Sequence, residues 1–267
     1  MITYNKEKIE NANKWNDDSI YVLADFDRTI TLGNSESSWG VLSKSKFASP
    51  EYSEERTKLY SYYHPYEINE KLDYEEKNKI MIEWWDKHIE LFNKYKLEEK
   101  IIEDAATNPE LMSFRDGAID FLRSMRDRNI PVIIISAGIG NFIDRFLTYN
   151  NCNFENIHIL SNFIKFENGI ASGLNNEVIH SLNKNEVSNS DRVRDIIKDR
   201  NNIILLGDSI SDVKMASDKD REDALKIGFL NENEEENMIF YKNAYDVVCT
   251  DNTTYKALFD EIKILKK

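Results

Sequence analysis

Glycine and proline are scarce in this chain, nine and four of 267 residues, which excludes a Gly- or Pro-rich linker and leaves few marks of where elements end. Cysteine is scarcer. Cys152 and Cys249 have neither the number nor the spacing of a disulfide framework or a zinc site, so a reducing, cytoplasmic setting is expected. The four histidines are scattered without metal-ligand spacing. No stretch approaches the about 20 apolar residues that cross a bilayer, and the polar residues 1–18 lack the apolar run of a signal peptide. Positive charge is also in deficit: 35 Lys and Arg against 48 Asp and Glu give a net charge of −13. That balance argues against a nucleic-acid polymer or a membrane surface as partner. A small phosphorylated ligand is still compatible, provided a metal and a few local cations offset the field. With 41% hydrophobic residues the chain can bury one large α/β core, with or without a smaller inserted domain. The expectation is a cytoplasmic monomer or weak homo-oligomer.

What the chain does have is three polar clusters, each directly behind a short aliphatic run. Asp25-Phe26-Asp27-Arg28-Thr29 follows residues 20–24, Ser136-Ala137-Gly138 follows residues 132–135, and Gly207-Asp208-Ser209 with Ser211-Asp212 follows residues 203–206. Aliphatic runs bounded by turn residues read as strands buried on both faces of a parallel sheet. Ligands of such sheets bind just past the carboxyl ends of the strands. Four carboxylates and a hydroxyl are thus expected on one rim.

Between the first two clusters the pattern is helical and rich in charge and aromatics. Ile80, Met81, Trp84, Trp85, His88, Leu91, Phe92 and Tyr95 recur at spacings of three and four, one side of an amphipathic helix. No strand signal interrupts this stretch, so residues 37–107 read as an inserted helical cap domain, and residues 1–36 and 108–267 as the core. Beyond it, helix and strand patterns alternate. A hairpin is expected to turn at Asn168-Gly169, a pair suited to positive φ. The expected fold class is α/β, a doubly wound, mostly parallel sheet with right-handed crossovers.

The clusters carry specific chemistry. A carboxylate held by a cation, Asp25, can attack phosphorus and form an aspartyl-phosphate. A second, Asp27, can protonate the leaving oxygen and then activate water. Asp208 can join Asp25 in holding a hard divalent ion such as Mg²⁺. Taken singly, each Asp could equally cap a turn; the third cluster at its own strand end is what favours catalysis. Ser136 reads either as a phosphate donor, with Ala137, Gly138 and Gly140 allowing close backbone approach, or as the N-cap of a helix over residues 141–147. Lys184 is a candidate phosphate cation, although a lone lysine is usually solvated surface. Asp212 would orient the metal or Lys184, or cap a helix running to Met215. Thr29 is expected to bond within the acidic turn.

In this order, Asp-Phe-Asp-Arg-Thr, Ser136, Lys184 and Gly-Asp-Ser-x-x-Asp resemble the haloacid dehalogenase-like phosphohydrolases. The stretches at residues 136–140, 161–163, 177–180, 183–184, 202–208 and 225–231 further resemble the cytosolic type III, pyrimidine 5′-nucleotidase family. The resemblance spans nearly all of residues 20–250. It implies a Rossmann-like core under a helical cap, and Mg²⁺-dependent dephosphorylation of nucleoside 5′-monophosphates, CMP and UMP among them. It implies Asp25 as nucleophile, Asp27 as acid/base, and metal ligation by Asp25, the Asp27 carbonyl and Asp208. Phosphate would be bound by Ser136, Ala137, Gly138 and Lys184, and the base approached by Glu67. His88, standing where close relatives commonly have serine, is expected among the substrate-binding residues of the cap. Three readings are open: a 5′-nucleotidase, a phosphatase of another metabolite such as phosphoserine or a sugar phosphate, and an idle phospho-ligand binder. Transfer of the phosphoryl group to a nucleoside instead of water uses the same intermediate.

Overall fold

The computed structural model describes residues 2–67, 69, 72–175, 177–250 and 253–266. The first cluster lies behind β2 (Ile20–Ala24), the second within β3 (Val132–Ile139), and the third behind β7 (Asn202–Gly207). These three strands form the centre of a sheet whose edges are built by β1 (Ile2–Tyr4), β4 (Ile157–Asn162), β8 (Leu225–Phe229) and β9 (Val247–Cys249). The strand order is β1-β9-β8-β7-β2-β3-β4, parallel from β9 to β4, with β1 antiparallel at the edge. Side chains of a strand alternate between faces. Ile20, Val22 and Ala24 accordingly join one buried cluster, with Ile134, Ile204 and Leu206, and Tyr21 and Leu23 join another, with Ile133, Ile135, Ile203 and Leu205. Both faces are covered, which is why these runs are apolar nearly throughout.

Helices supply the cover: α1 (Lys6–Ala12), α5 (Ala118–Asp127), α6 (Gly140–Tyr149), α7 (Lys184–Ser188), α8 (Asp191–Ile197), α9 (Asp218–Arg221), α10 (Glu234–Ala244) and α11 (Tyr255–Phe259). Between β2 and β3 the chain makes α2 (Pro50–Glu67), α3 (Tyr74–Tyr95) and α4 (Lys100–Ala106). Asp73 starts α3 by accepting from the Glu76 N–H at 3.0 Å, and Lys96, in the left-handed region at φ 48°, ends it. The stripe of Met81, Trp85, His88, Leu91 and Phe92 is buried.

Two fastenings hold this helical insertion. The strands leaving and re-entering the core pair with each other: Leu32 N donates to Ser113 O at 2.9 Å, Glu36 N to Leu111 O at 3.0 Å, and Thr31 bridges Phe114. Farther out, Ala171 N donates to Leu97 O, and Glu99 N to Gly169 O, each at 2.9 Å. The second fastening uses a hairpin of β5 (Ile164–Glu167) and β6 (Ile170–Leu174), which turns at Asn168 (φ 53°) and Gly169 (φ 77°) as the Asn-Gly pair predicts. No helix among the described residues is long and apolar enough to cross a membrane.

Candidate active site

Strand register brings the clusters together. Ala24 is level with Leu206 on one side and Ile134 on the other. Asp25, Gly207-Asp208 and Ile135-Ser136 therefore follow at the same height, and Asp25 N still donates to Leu206 O at 2.9 Å. β2 lies where strand order reverses, with β3 on one flank and β7 on the other, the place where such sheets bind ligands. Asp25, Asp208 and Asp212 each offer a carboxylate oxygen within 4.8 Å of the others. Lys184 enters from α7, its Nζ 2.6 Å from Asp25 Oδ1 and 2.8 Å from Asp212 Oδ1. Asp212 also accepts from Ser209 N at 3.0 Å through Oδ2, so it caps its 3₁₀ turn and holds Lys184 at once. Thr29 Oγ1 donates to Asp25 Oδ2 at 3.3 Å.

The cluster has more negative charge than Lys184 can balance. Burial pushes Asp25 up to about 7 against the attraction of Lys184, with Asp212 and Asp27 adding to the rise. Asp208 is raised well above the carboxylate range by burial and then by Asp25 and Asp212. Burial alone would lower Lys184, but Asp212 and Asp25 more than offset it, and its pKa is raised. Asp27 is raised by burial, and two hydrogen bonds from Ser38 oppose the rise.

Ser136 does not cap a helix, contrary to one of its two readings. Its strand continues to Ile139 through an irregularity after Ile135, and α6 starts only at Gly140. The buried Ser136 Oγ instead accepts from Gly138 N at 3.0 Å. The carbonyls of Ala137 and Gly138 accept from Asn162 Nδ2 (3.1 Å) and Ser161 Oγ (3.0 Å), which sets the turn of this segment.

Glu67 and His88 lie in the insertion, apart from the aspartates. Glu67 pairs with His64 Nδ1 at 3.1 Å, and its charge reaches Tyr60 in α2 and His180 in the core. His88 is buried; its Nε2 accepts from Trp39 Nε1 at 3.2 Å, the rings meeting edge-on at 4.2 Å. Burial, and then Arg56, hold His88 well below its ordinary pKa, so it is neutral and its proton sits on Nδ1. That Nδ1, Trp84 Nε1 and Arg56 Nε are buried with no partner among the described residues. Tyr60 stacks on His64 (4.7 Å) and Trp84 on Tyr63 (5.8 Å). The insertion thus presents aromatic faces and a carboxylate, and encloses three unmatched N–H donors.

With this geometry in place, comparison with known proteins is decisive. The family description "Pyrimidine 5′-nucleotidase (UMPH-1)" matches residues 27–265. The chain belongs to that family. It is 34% identical over 258 residues to the 7-methylguanosine phosphate-specific 5′-nucleotidase of Homo sapiens, covering 93% of this chain and 85% of the human protein. The enzyme of the same name from Drosophila melanogaster is 33% identical over 242 residues, 87% of this chain and 76% of that one. The crystal structure of cytosolic 5′-nucleotidase IIIB bound to cytidine is similar over 99% of this chain and 93% of its own, with a TM-score of 0.83 and 27% identity. A phospho-aspartyl intermediate analogue of phosphoserine phosphatase shares the fold at a TM-score of 0.56 and 17% identity, over 91% and 98% of the two chains. This family member is a 5′-nucleotidase-like phosphatase on an α/β, haloacid dehalogenase-like core.

Sequence reasoning missed several residues that shape this candidate site. Buried Arg115 donates to the carbonyls of Arg28 (2.7 Å), Thr29 (3.3 Å) and Thr253 (3.2 Å) and to Asn231 Oδ1 (2.9 Å), which fixes the back of the acidic turn. Asn162 exchanges two hydrogen bonds with Ile179, 2.7 and 2.8 Å, and so sets the loop that delivers Lys184. Tyr241 and Tyr245 donate to the carbonyls of Asp208 and Ser209. Ser38 donates to both oxygens of Asp27. None carries a local motif; asking what satisfies the buried carbonyls of the acidic turn would have pointed to Arg115.

The donor set suits a hard divalent cation. Asp25, Asp208 and Asp212 offer oxygen only, and Asp208's carboxylate has no ion pair or side-chain hydrogen bond among the described residues.

Proposed function

We propose that the chain hydrolyses nucleoside 5′-monophosphates by way of an aspartyl-phosphate on Asp25. The observation that carries this is the meeting of Asp25, Lys184, Asp208 and Asp212 at the switch point of the sheet, with Asp27 two residues from the nucleophile. Asp25 attacks phosphorus while the P–O5′ bond breaks, and the departing electron pair takes a proton from Asp27. Asp27 then removes a proton from water, whose oxygen attacks phosphorus and frees Asp25. Lys184, Ser136 and the backbone at Ala137 and Gly138 bind the phosphoryl oxygens. Asp25 and Asp208, with the carbonyl of Asp27, would hold Mg²⁺, and Asp212 would steady Lys184. When bound, the ion offsets the charge of the phosphate facing an anionic nucleophile.

Residues 37–107 serve as the cap that reads the base. A carboxylate at Glu67 suits an exocyclic amino group, as on cytosine. The family description and the cytidine-bound neighbour support a pyrimidine. A second reading, 7-methylguanosine monophosphate, is favoured by the aromatic faces beside Glu67, which suit a cationic base, and by the names of the human and fly relatives.

The test is phosphate release from CMP, UMP, 7-methylguanosine monophosphate, phosphoserine and glucose 6-phosphate, with and without Mg²⁺. Asp25→Asn should abolish turnover while leaving the protein folded. Glu67→Ala should weaken the nucleotides selectively. A near-normal rate in Asp25→Asn would defeat the mechanism, and an equal loss on every substrate in Glu67→Ala would defeat the base reading.

A further inference from the structure

Asp27 makes side-chain hydrogen bonds to one residue among those described, and it belongs to the segment leading into the insertion. The Ser38 N–H reaches Asp27 Oδ1 at 2.7 Å and the Ser38 hydroxyl reaches Oδ2 at 2.7 Å. Ser38 is completely buried. On its far side it packs against the phosphate turn: a Cβ on Gly138 would stand 1.7 Å from Ser38 Oγ and 3.1 Å from Ser136 Oγ. Glycine at 138 is thus what lets the hydroxyl occupy the space between Asp27 and the phosphate turn. Ser38 is also braced along the chain. Gly40 N donates to Ser37 Oγ at 2.9 Å, Val41 N donates to Ser37 O at 3.0 Å, and the neighbouring Trp39 is tied to His88 in α3.

We propose that Ser38 is a positioning residue for proton transfer by Asp27, an inference that rests on the acid/base reading above. Two donors from one rigid residue fix both the plane and the rotation of the carboxyl group, and each oxygen keeps a lone pair for the proton it exchanges. In the first step the P–O5′ bond breaks as the Asp25–phosphorus bond forms, and the proton passes from Asp27 to O5′. General acid help of this kind depends on reach and direction. An alkoxide such as O5′ needs it, whereas a nitrophenolate departs without a proton. Ser38 therefore matters in proportion to the basicity of the leaving group, which a purely structural residue does not.

The experiment compares kcat/KM for the preferred nucleotide and for p-nitrophenyl phosphate, a parameter that reports the first phosphoryl transfer and not the shared release of phosphate. Ser38→Ala should lower the nucleotide value about tenfold to a hundredfold more than the aryl value, a part of the ~10²–10⁴-fold available to acid catalysis. Ser38→Thr, which keeps both donors, should restore most of the ratio. Asp27→Asn sets the yardstick. If Asp27→Asn itself fails to discriminate between the two leaving groups, the acid reading falls and takes this proposal with it. If Asp27→Asn discriminates while Ser38→Ala lowers both substrates equally or neither, the role of Ser38 alone is overturned.

Discussion

Lys184 and Asp25 meet side chain to side chain at 2.6 Å, although 159 positions separate them in the chain. Both are buried, and Asp212 holds the lysine from its other side at 2.8 Å. Breaking a buried ion pair by removing one partner leaves an uncompensated charge and costs about 3–5 kcal/mol. Lys184→Met should therefore lose stability of that order as well as activity, because three carboxylates are left within 4.8 Å. Urea unfolding at neutral pH measures the loss, and added Mg²⁺ should recover part of it.

The same crowding of carboxylates predicts a metal effect on the intact protein. Mg²⁺ at about a hundred times its dissociation constant should stabilise the fold by about 2.7 kcal/mol. Asp208→Asn should abolish most of that gain while raising stability in metal-free buffer, since it removes the charge that burial and its neighbours disfavour. Thermal unfolding with and without chelator checks both signs.

Arg115 predicts a non-conservative lysine. Its guanidinium makes four hydrogen bonds and lies over the Phe229 ring at 4.3 Å, a planar fork that an ammonium cannot reproduce. Arg115→Lys should lose about 2–4 kcal/mol, since hydrogen bonds to a charged group contribute about 1.5–3 kcal/mol each and several carbonyls would lose their partner. Activity should also fall, because Arg28 and Thr29 belong to the turn that carries Asp25 and Asp27, the aspartates proposed to act on phosphorus.

Acid should weaken the fold through histidine before it protonates ordinary carboxylates. Burial lowers His180 to about 4, opposed by Glu67, and burial with Arg56 holds His88 well below its ordinary value. A histidine depressed in the folded state leaves stability intact above its unfolded value near 6.5. Below that, the unfolded chain takes up the proton first, and stability falls until the folded value is reached. One pKa unit is worth about 1.4 kcal/mol, so His180 alone should account for about 3 kcal/mol between pH 6.5 and 4. His180→Asn, which can still accept from Leu182 N, should flatten that part of the urea-midpoint profile.

The central strands and their polar ends were legible because burial on both faces demands uninterrupted aliphatic runs, and a motif right after such a run has its position given by the strand. The hairpin was legible for a similarly local reason, the positive φ at Asn168 and Gly169. Ser136 was readable as a phosphate donor or as a helix N-cap, since a serine ahead of a helical pattern suits either, and the pairing of its strand with β4 through Ile139 removes the N-cap. β1 escaped notice because three residues hold no periodicity. Ser38 and Arg115 escaped because their roles come from carboxylate and carbonyl groups far away in sequence, and nothing in a Ser-rich linker or an Arg-Asp-Gly turn announces them.

The insertion is pinned along two lines, by its paired linkers and by the β5–β6 hairpin. A body fixed along two lines has no free hinge axis through either one. The side where Tyr60 feels the charges of Arg28 and Glu232, and His180 that of Glu67, is tied more loosely among the described residues, with Tyr74 meeting Glu186 at 3.4 Å on the exposed surface. On the proposed function, a nucleotide would come and go on that looser side, so Glu67, proposed to choose the substrate, would also govern its release.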